Sequence, residues 1–298
     1  MNVLFLIFNR PYETYRVFEQ IRKAKPSKLF IAADGPRKNN LNDLKLCKDA
    51  REIVSKIDWP CTISTRFQEN NLGCKMHVSS AISWFFNQVD QGIILEDDCL
   101  PDQSFFYFAE LMLEKYKNIS EIMHINGTNF QFGNKRGDAS YYFSRCPHVW
   151  GWATWKRAWQ QYDVEMNNLN QYIKSKKIYD LFEKKLSAKF WISLFKHIKS
   201  KKIDTWDAQW AYTIMKSCSL AVTPNYNLVK NIGFGISSTH TRSNNNKLEQ
   251  ESSHLPSIIH PKTISPNTGA DTFLIEKIYL KPWYIQIFLK FSNILKMR

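Results

Sequence analysis

The 298-residue chain has no C-x-x-C pair, and its six cysteines, Cys47, Cys61, Cys74, Cys99, Cys146 and Cys218, lie scattered without a close Cys/His grouping. A disulfide framework in a small secreted domain is denser, and a zinc site clusters its ligands, so reduced thiols in a cytosolic protein are the simplest account. No apolar run approaches the roughly 20 residues that a spanning helix needs. Secretory features are missing at the N-terminus. Residues 3–8 (Val-Leu-Phe-Leu-Ile-Phe) run directly into Asn9-Arg10-Pro11, with no basic leader and no cleavage site, so the stretch reads as a buried strand. There is no internal repeat, and no recognised nucleic-acid-binding motif accompanies the basic residues.

What is present is apolar bulk and positive charge. Hydrophobic residues make up 44% of the chain and aromatics 14%, enough for a large core and too much for disorder. Lys and Arg number 41 against 27 Asp and Glu, a net charge of +14. That surplus favours an anionic partner: nucleic acid, an anionic membrane surface or a phosphorylated substrate. Charge by itself does not choose among them.

The first hundred residues alternate strand and helix patterns. Apolar runs at 3–8, 29–33 and 92–95, with a short β-prone stretch at 61–65, are separated by helical periodicity at 14–23, 44–57 and 74–89. A further helix opens at Pro101-Asp102. Such a series predicts an α/β fold with a mixed, mainly parallel sheet flanked by helices and a ligand site beyond the carboxyl ends of the strands. The middle third holds an aromatic-rich region around residues 148–159, then a helical, very basic stretch over 168–202. One domain is expected over 1–275, with a nucleotide and metal half at 1–125 and an acceptor half at 126–275. A basic amphipathic segment follows at 276–298.

Glu96-Asp97-Asp98 ends the run Ile93-Ile94-Leu95. Three adjacent acids at a buried strand end raise one another's pKa and are desolvated, a cost that a hard divalent cation, Mn²⁺ or Mg²⁺, relieves. Capping of the next helix is the bland alternative, but a cap needs one acid, not three. Asp34 ends the second apolar run; it reads as a hydrogen-bond acceptor for a base or ribose, or as part of an ordinary Asp-Gly-Pro turn. Asp207, in Asp204-Thr205-Trp206-Asp207, reads as a general base facing an acceptor hydroxyl, or as a first-turn acid with Asp204 or Thr205 as helix cap. Trp150, Gly151 and Trp152, joined by Trp206, read as a sugar pocket wall or as core.

These residues together resemble the GT-A fold of nucleotide-diphospho-sugar glycosyltransferases, and within it N-acetylglucosaminyltransferase I and its bacterial relatives. The similarity rests on Ile94-Leu95-Glu96-Asp97-Asp98-Cys99-Leu100-Pro101-Asp102 with Phe105-Phe106, and on Trp206-Asp207. It implies that Asp98 holds the metal, Asp97 meets the ribose and Glu96 the donor sugar. Arg10 and Asp34 match base-binding positions, which implies a uridine donor. Asp207 matches the catalytic base of a Trp-Asp-Asp segment, although the second acid is Ala208 here. Residues 233–240 resemble a loop that closes over the diphosphate, with Ser238 and His240 as phosphate or metal contacts. The implied reaction is inverting transfer of a sugar, N-acetylglucosamine among the candidates, from a UDP-sugar to a saccharide or lipid-linked saccharide acceptor in bacterial surface polysaccharide synthesis.

The basic segment 276–298 carries Trp283 and Tyr284 among apolar residues and lysines. It fits peripheral contact with the inner face of a cell membrane, or packing on protein. The competing readings are a nucleic-acid-binding protein, a non-catalytic sugar binder, and a retaining or non-uridine transferase of the same fold. No nucleic acid partner is expected, because the lysines are dispersed.

Overall fold

The runs Val-Leu-Phe-Leu-Ile and Leu-Phe-Ile-Ala-Ala are apolar at every position, as strands covered on both faces must be. In a computed structural model, which describes residues 1–233, 248 and 250–280, they form β1 (Asn2–Ile7) and β2 (Lys28–Ala33). With β3 (Thr62–Phe67) and β4 (Gln91–Glu96) they build a parallel block in the order β3-β2-β1-β4. The other four strands are β6 (Ile122–Asn126), β7 (Tyr141–Ser144), β8 (Trp152–Trp155) and β9 (Leu220–Pro224). They extend the sheet to eight strands, ending β4-β8-β6-β9-β7, with β8 and β7 antiparallel to their neighbours. This is the mixed, mainly parallel α/β sheet that the strand and helix alternation predicts. Strands from 1–125 and from 126–275 lie in the one sheet.

Alternate residues of each strand face opposite layers. Phe5, Ile31 and Leu95 pack with α1 (Pro11–Ala24) and α4 (Gln103–Lys115). Leu4, Leu6, Phe30 and Ile94 pack with α3 (Cys74–Phe86) and a tryptophan cluster. On the same side of α1 lies α2 (Leu41–Arg51). The helical stretch expected at 44–57 ends early, because residues Glu52–Lys56 tighten into a 3₁₀ turn.

The basic stretch 168–202 is likewise divided. After the single turn α5 (Lys156–Trp159) come α6 (Leu169–Lys174), a 3₁₀ turn at Lys177–Asp180 and α7 (Lys185–Lys199). The break falls at Lys176, which adopts φ +59° and so cannot continue a right-handed helix. With α8 (Asp207–Lys216), α9 (Thr268–Leu274) and the π-helical turn Ile275–Tyr279, these helices enclose a separate apolar cluster built on Tyr172, Trp191, Phe195 and Tyr212. Only residues 276–280 of the basic segment are described, and they pack on this cluster; 281–298 lie outside the described residues. No helix among the described residues is long and apolar enough to cross a membrane.

A two-stranded ribbon completes the frame. Here β5 (Cys99–Pro101) pairs antiparallel with β10 (Val229–Asn231), and Asn231 lies opposite Cys99. The pairing carries the chain after β10 back over the acids at the end of β4.

Candidate active site

Neighbouring parallel strands that leave in opposite directions open a crevice at their carboxyl ends. Here β2 lies on one side of β1 and β4 on the other, and the crevice is a cleft of about 630 Å³. Arg10, Asp34, Glu96, Asp97, Asp98, Trp150, Trp206 and Asp207 all line it. The cleft therefore gathers segments separated by up to two hundred residues.

Asp97 is fixed by the backbone N–H of Phe8, which donates to its Oδ2 at 3.0 Å from the end of β1. The Arg10 guanidinium donates to Asp98 Oδ2 at 2.6 Å and lies 3.7 Å from Asp97 Oδ1. Burial disfavours the charge on Arg10, but Asp97 and Asp98 outweigh it and hold its pKa above the ordinary value. One guanidinium does not balance three acids. Burial pushes Glu96 well above the carboxylate range, with Asp98, Asp97 and Asp207 adding to the effect. Asp97 is pushed up to about 7, by burial first and then by Asp98. Among the described residues the acids that line the cleft outnumber its arginines.

Gly233 closes this pocket from above. Ile232 N–H donates to the Asp98 carbonyl at 2.8 Å, and a Cβ on Gly233 would stand 2.2 Å from Asp98 Oδ2. Only glycine lets the chain pass this close to the carboxylate. Ser238 and His240, further along that segment, lie outside the described residues.

At the other end of the cleft Asp34 is buried and fully engaged. Its Oδ1 accepts from Gly35 N and Leu72 N at 2.8 Å each, and its Oδ2 accepts from Asn71 Nδ2 at 3.0 Å and Gly73 N at 3.1 Å. A carboxylate offers about four lone-pair sites. Asp34 thus ties the 70–73 loop to the end of β2 and shapes the rim, instead of presenting a vacant acceptor to a base. Beside it, Arg37 is held by Asp43, whose carboxyl is drawn below its usual range by the Arg37 guanidinium; Asn9 also donates to Asp43 at 2.9 Å.

The aromatic residues divide between surface and core. Trp150 borders the cleft and meets Phe130 edge-on, ring centroids 5.2 Å apart. Trp152 is fully buried and does not line the cleft. It is stacked between His124 (5.0 Å) and Trp206 (5.7 Å). His124 receives the Trp210 indole N–H at Nδ1 (3.0 Å), so its Nε2 donates to the His148 carbonyl (2.9 Å), and burial lowers its pKa to about 4. This stack supports Trp206, the residue at the cap of α8. Gly151, at φ +63°, does not line the cleft either: its carbonyl accepts from Gly127 N at 2.8 Å, and Val229 would block a side chain. Trp152 and Gly151 therefore lie behind the lining, and of the four expected pocket residues only Trp150 and Trp206 border the cleft.

Asp207 is the first residue of α8, and Trp206, not Asp204 or Thr205, takes the cap position. The Thr205 hydroxyl instead donates to Asp207 Oδ1, which also accepts from Ala208 N at 2.8 Å. The carboxylate is thereby oriented at a helix N-terminus in the lining of the same cleft, close enough to Glu96 to raise its pKa. Lining residues that were not expected at the site include His77, Cys74, Asn231 and Ile203. His77 is buried with neither ring nitrogen hydrogen-bonded among the described residues, and burial lowers its pKa.

Among the described residues no group of three or more His, Cys, Asp or Glu converges to hold a metal by itself. A small divalent cation on a nucleotide needs less, since one or two carboxylates suffice when the phosphates supply the other oxygens. Asp98, partly exposed in a pocket with surplus negative charge, fits that requirement.

No protein-family profile matches the chain, and no curated protein does. Similar solved structures include 4-diphosphocytidyl-2C-methyl-D-erythritol synthase from Anaerococcus prevotii, at 9% identity over 80% of this chain and 93% of that one, TM-score 0.40. Mouse xyloside xylosyltransferase 1 in its apo form aligns at 9% identity over 73% of this chain and 82% of that one, TM-score 0.35. UDP-glucose pyrophosphorylase complexed with UDP-glucose aligns at 11% identity over 48% and 62%, TM-score 0.26. Similarity this low carries no functional argument.

Proposed function

We propose that this chain is a metal-dependent glycosyltransferase that moves a sugar from a nucleoside-diphosphate donor, a UDP-sugar, to a saccharide acceptor with inversion. The observation that carries the reading is the gathering of Glu96-Asp97-Asp98 and Asp207 in the lining of one cleft at the switch point of the sheet. Asp98 holds Mn²⁺ or Mg²⁺, which supplies neutralisation of the leaving diphosphate when bound. Asp97 meets the ribose and Glu96 the donor sugar.

Arg10 has two tasks in sequence. Without ligand it is the counter-ion of Asp98. When the donor enters, it is displaced from that carboxylate and is positioned to hold the nucleotide. Trp150 and Trp206 offer apolar faces to the sugar and the acceptor. Asp207, oriented by Thr205 and the α8 N-terminus, takes the proton of the acceptor hydroxyl as that oxygen attacks the anomeric carbon.

The test is transfer from a panel of nucleotide sugars by the parent, Asp98→Ala and Asp207→Ala chains. Loss of the base should lower turnover by about 10²–10⁴-fold with donor binding retained. Loss of Asp98 should remove donor and cation binding together. Near-normal turnover by either variant sinks the assignment.

A further inference from the structure

A nucleoside diphosphate brings a flat base as well as phosphates, and a base is held largely through its face. Asp34 does not provide for that face, since both its oxygens are filled by donors of its own chain. The lining of the cleft holds the rings of Phe8, Trp150 and Trp206. Of these only Phe8 belongs to the 1–125 half, directly after β1 and two residues before Arg10.

Phe8 does not stand alone. The Arg37 guanidinium lies over its ring, 5.5 Å from the centroid. What fixes the guanidinium there is Asp43, a wholly buried carboxylate in the first turn of α2. Arg37 Nε donates to Asp43 Oδ2 at 2.6 Å and Nη2 to Oδ1 at 2.9 Å, while the Arg37 backbone N–H adds a third bond to Oδ2 at 3.1 Å. Asn9, the residue after Phe8, donates to Oδ1 at 2.9 Å, so the same carboxylate ties down both layers. A two-pronged hold fixes the plane of a guanidinium as well as its position. The Arg37 side chain is nonetheless 40% exposed and lines the cleft. Because Asp43 already meets its charge, it has little attraction left for phosphate. What it offers is a rigid plane.

We propose that Arg37, layered on Phe8 and set by Asp43, is the surface on which the nucleobase of the donor stacks. The proposal rests on the transferase reading and adds to it the residue that meets the base. Arg37 touches the ligand; Asp43 acts through Arg37 and is a positioning residue. Every base has a π-face, so such a surface strengthens binding without choosing among bases. Stacking of this kind contributes roughly 5- to 100-fold in affinity.

The experiment is calorimetric titration of the full chain, at saturating Mn²⁺, with UDP, GDP and CDP and with inorganic pyrophosphate, which has the phosphates and no base. Arg37→Lys keeps a charge for Asp43 and loses the plane. It should weaken whichever nucleoside diphosphate the parent binds by roughly 5- to 100-fold and leave pyrophosphate affinity unchanged. Phe8→Leu removes the ring but keeps the backbone N–H that holds Asp97, and should give the same split whether or not Arg37→Lys folds. Equal loss of nucleotide and pyrophosphate would make Arg37 a phosphate contact and overturn the proposal. Nucleotide binding untouched by both substitutions also overturns it, and leaves the transferase reading standing. A parent that binds none of the three nucleotides removes that reading and this proposal together.

Discussion

Arg10→Met isolates the electrostatics of the site. The Arg10 guanidinium sits 2.6 Å from Asp98 Oδ2 and 3.7 Å from Asp97 Oδ1, with side chains 12% and 19% exposed for Arg10 and Asp98. Removing one member of a buried charge pair costs about 3–5 kcal/mol, and the partial contact of Asp98 with water sets the figure at the lower end, about 3 kcal/mol. At about 2–4 °C per kcal/mol the melting temperature should fall by roughly 6–12 °C. Methionine keeps the length of the side chain, so lost packing contributes little. Mn²⁺ alone must compete with Arg10 for Asp98 in the parent and has no such competitor in the variant. In differential scanning fluorimetry, Mn²⁺ at a hundred times its dissociation constant should therefore restore about 2.7 kcal/mol to Arg10→Met while stabilising the parent less. An unchanged melting temperature, or equal Mn²⁺ stabilisation of both proteins, refutes the counter-ion account.

Two further outcomes follow from the same geometry. Asp97 has a folded-state pKa of about 7, above that of an unfolded carboxylate. Its contribution to stability is thus fully present below about 4 and is lost as pH rises towards 7. The ligand-free protein should lose that part of its stability across this window, and cation-dependent donor affinity, which needs ionised ligands, should rise from pH 6 to pH 8 by calorimetry; a fall would contradict the assignment. Gly233→Ala should weaken cation-dependent nucleotide binding by roughly tenfold or more and lower the melting temperature by roughly 2–12 °C. A Cβ at 2.2 Å from Asp98 Oδ2 must displace either that carboxylate or the segment above it, costing about 1–3 kcal/mol. Unaltered binding would mean that Gly233 is not part of the site.

Much of the frame is legible without coordinates because strands buried on both faces are written as unbroken apolar runs. The acidic triplet is legible because charge at the end of such a run is costly. What the pattern hides is which partner each side chain finds. Arg10 pairs with Asp98 across 88 positions, and the four donors that fill Asp34 come mostly from a loop over thirty residues away. Trp150 and Trp152 look alike in a Trp-rich stretch, yet Gly151, at φ +63°, turns the chain between them, leaving Trp150 at the cleft while Trp152 enters β8 and stacks on His124. The lysines of 168–202 read as a helical, basic stretch within a chain of otherwise dispersed lysines. Only the packing of α7 sets four of them on its exposed side.

The account stands most directly on Asp98 and a nucleotide sugar. Thermal stabilisation by a panel of nucleotide sugars, with and without Mn²⁺, should be measured on the parent and on Asp98→Asn. A uridine-diphosphate sugar at a hundred times its dissociation constant should stabilise the parent by about 2.7 kcal/mol, a shift of roughly 5–10 °C, only when Mn²⁺ is present, and leave Asp98→Asn unmoved. No shift with any nucleotide sugar, or the same shift in Asp98→Asn, would contradict it.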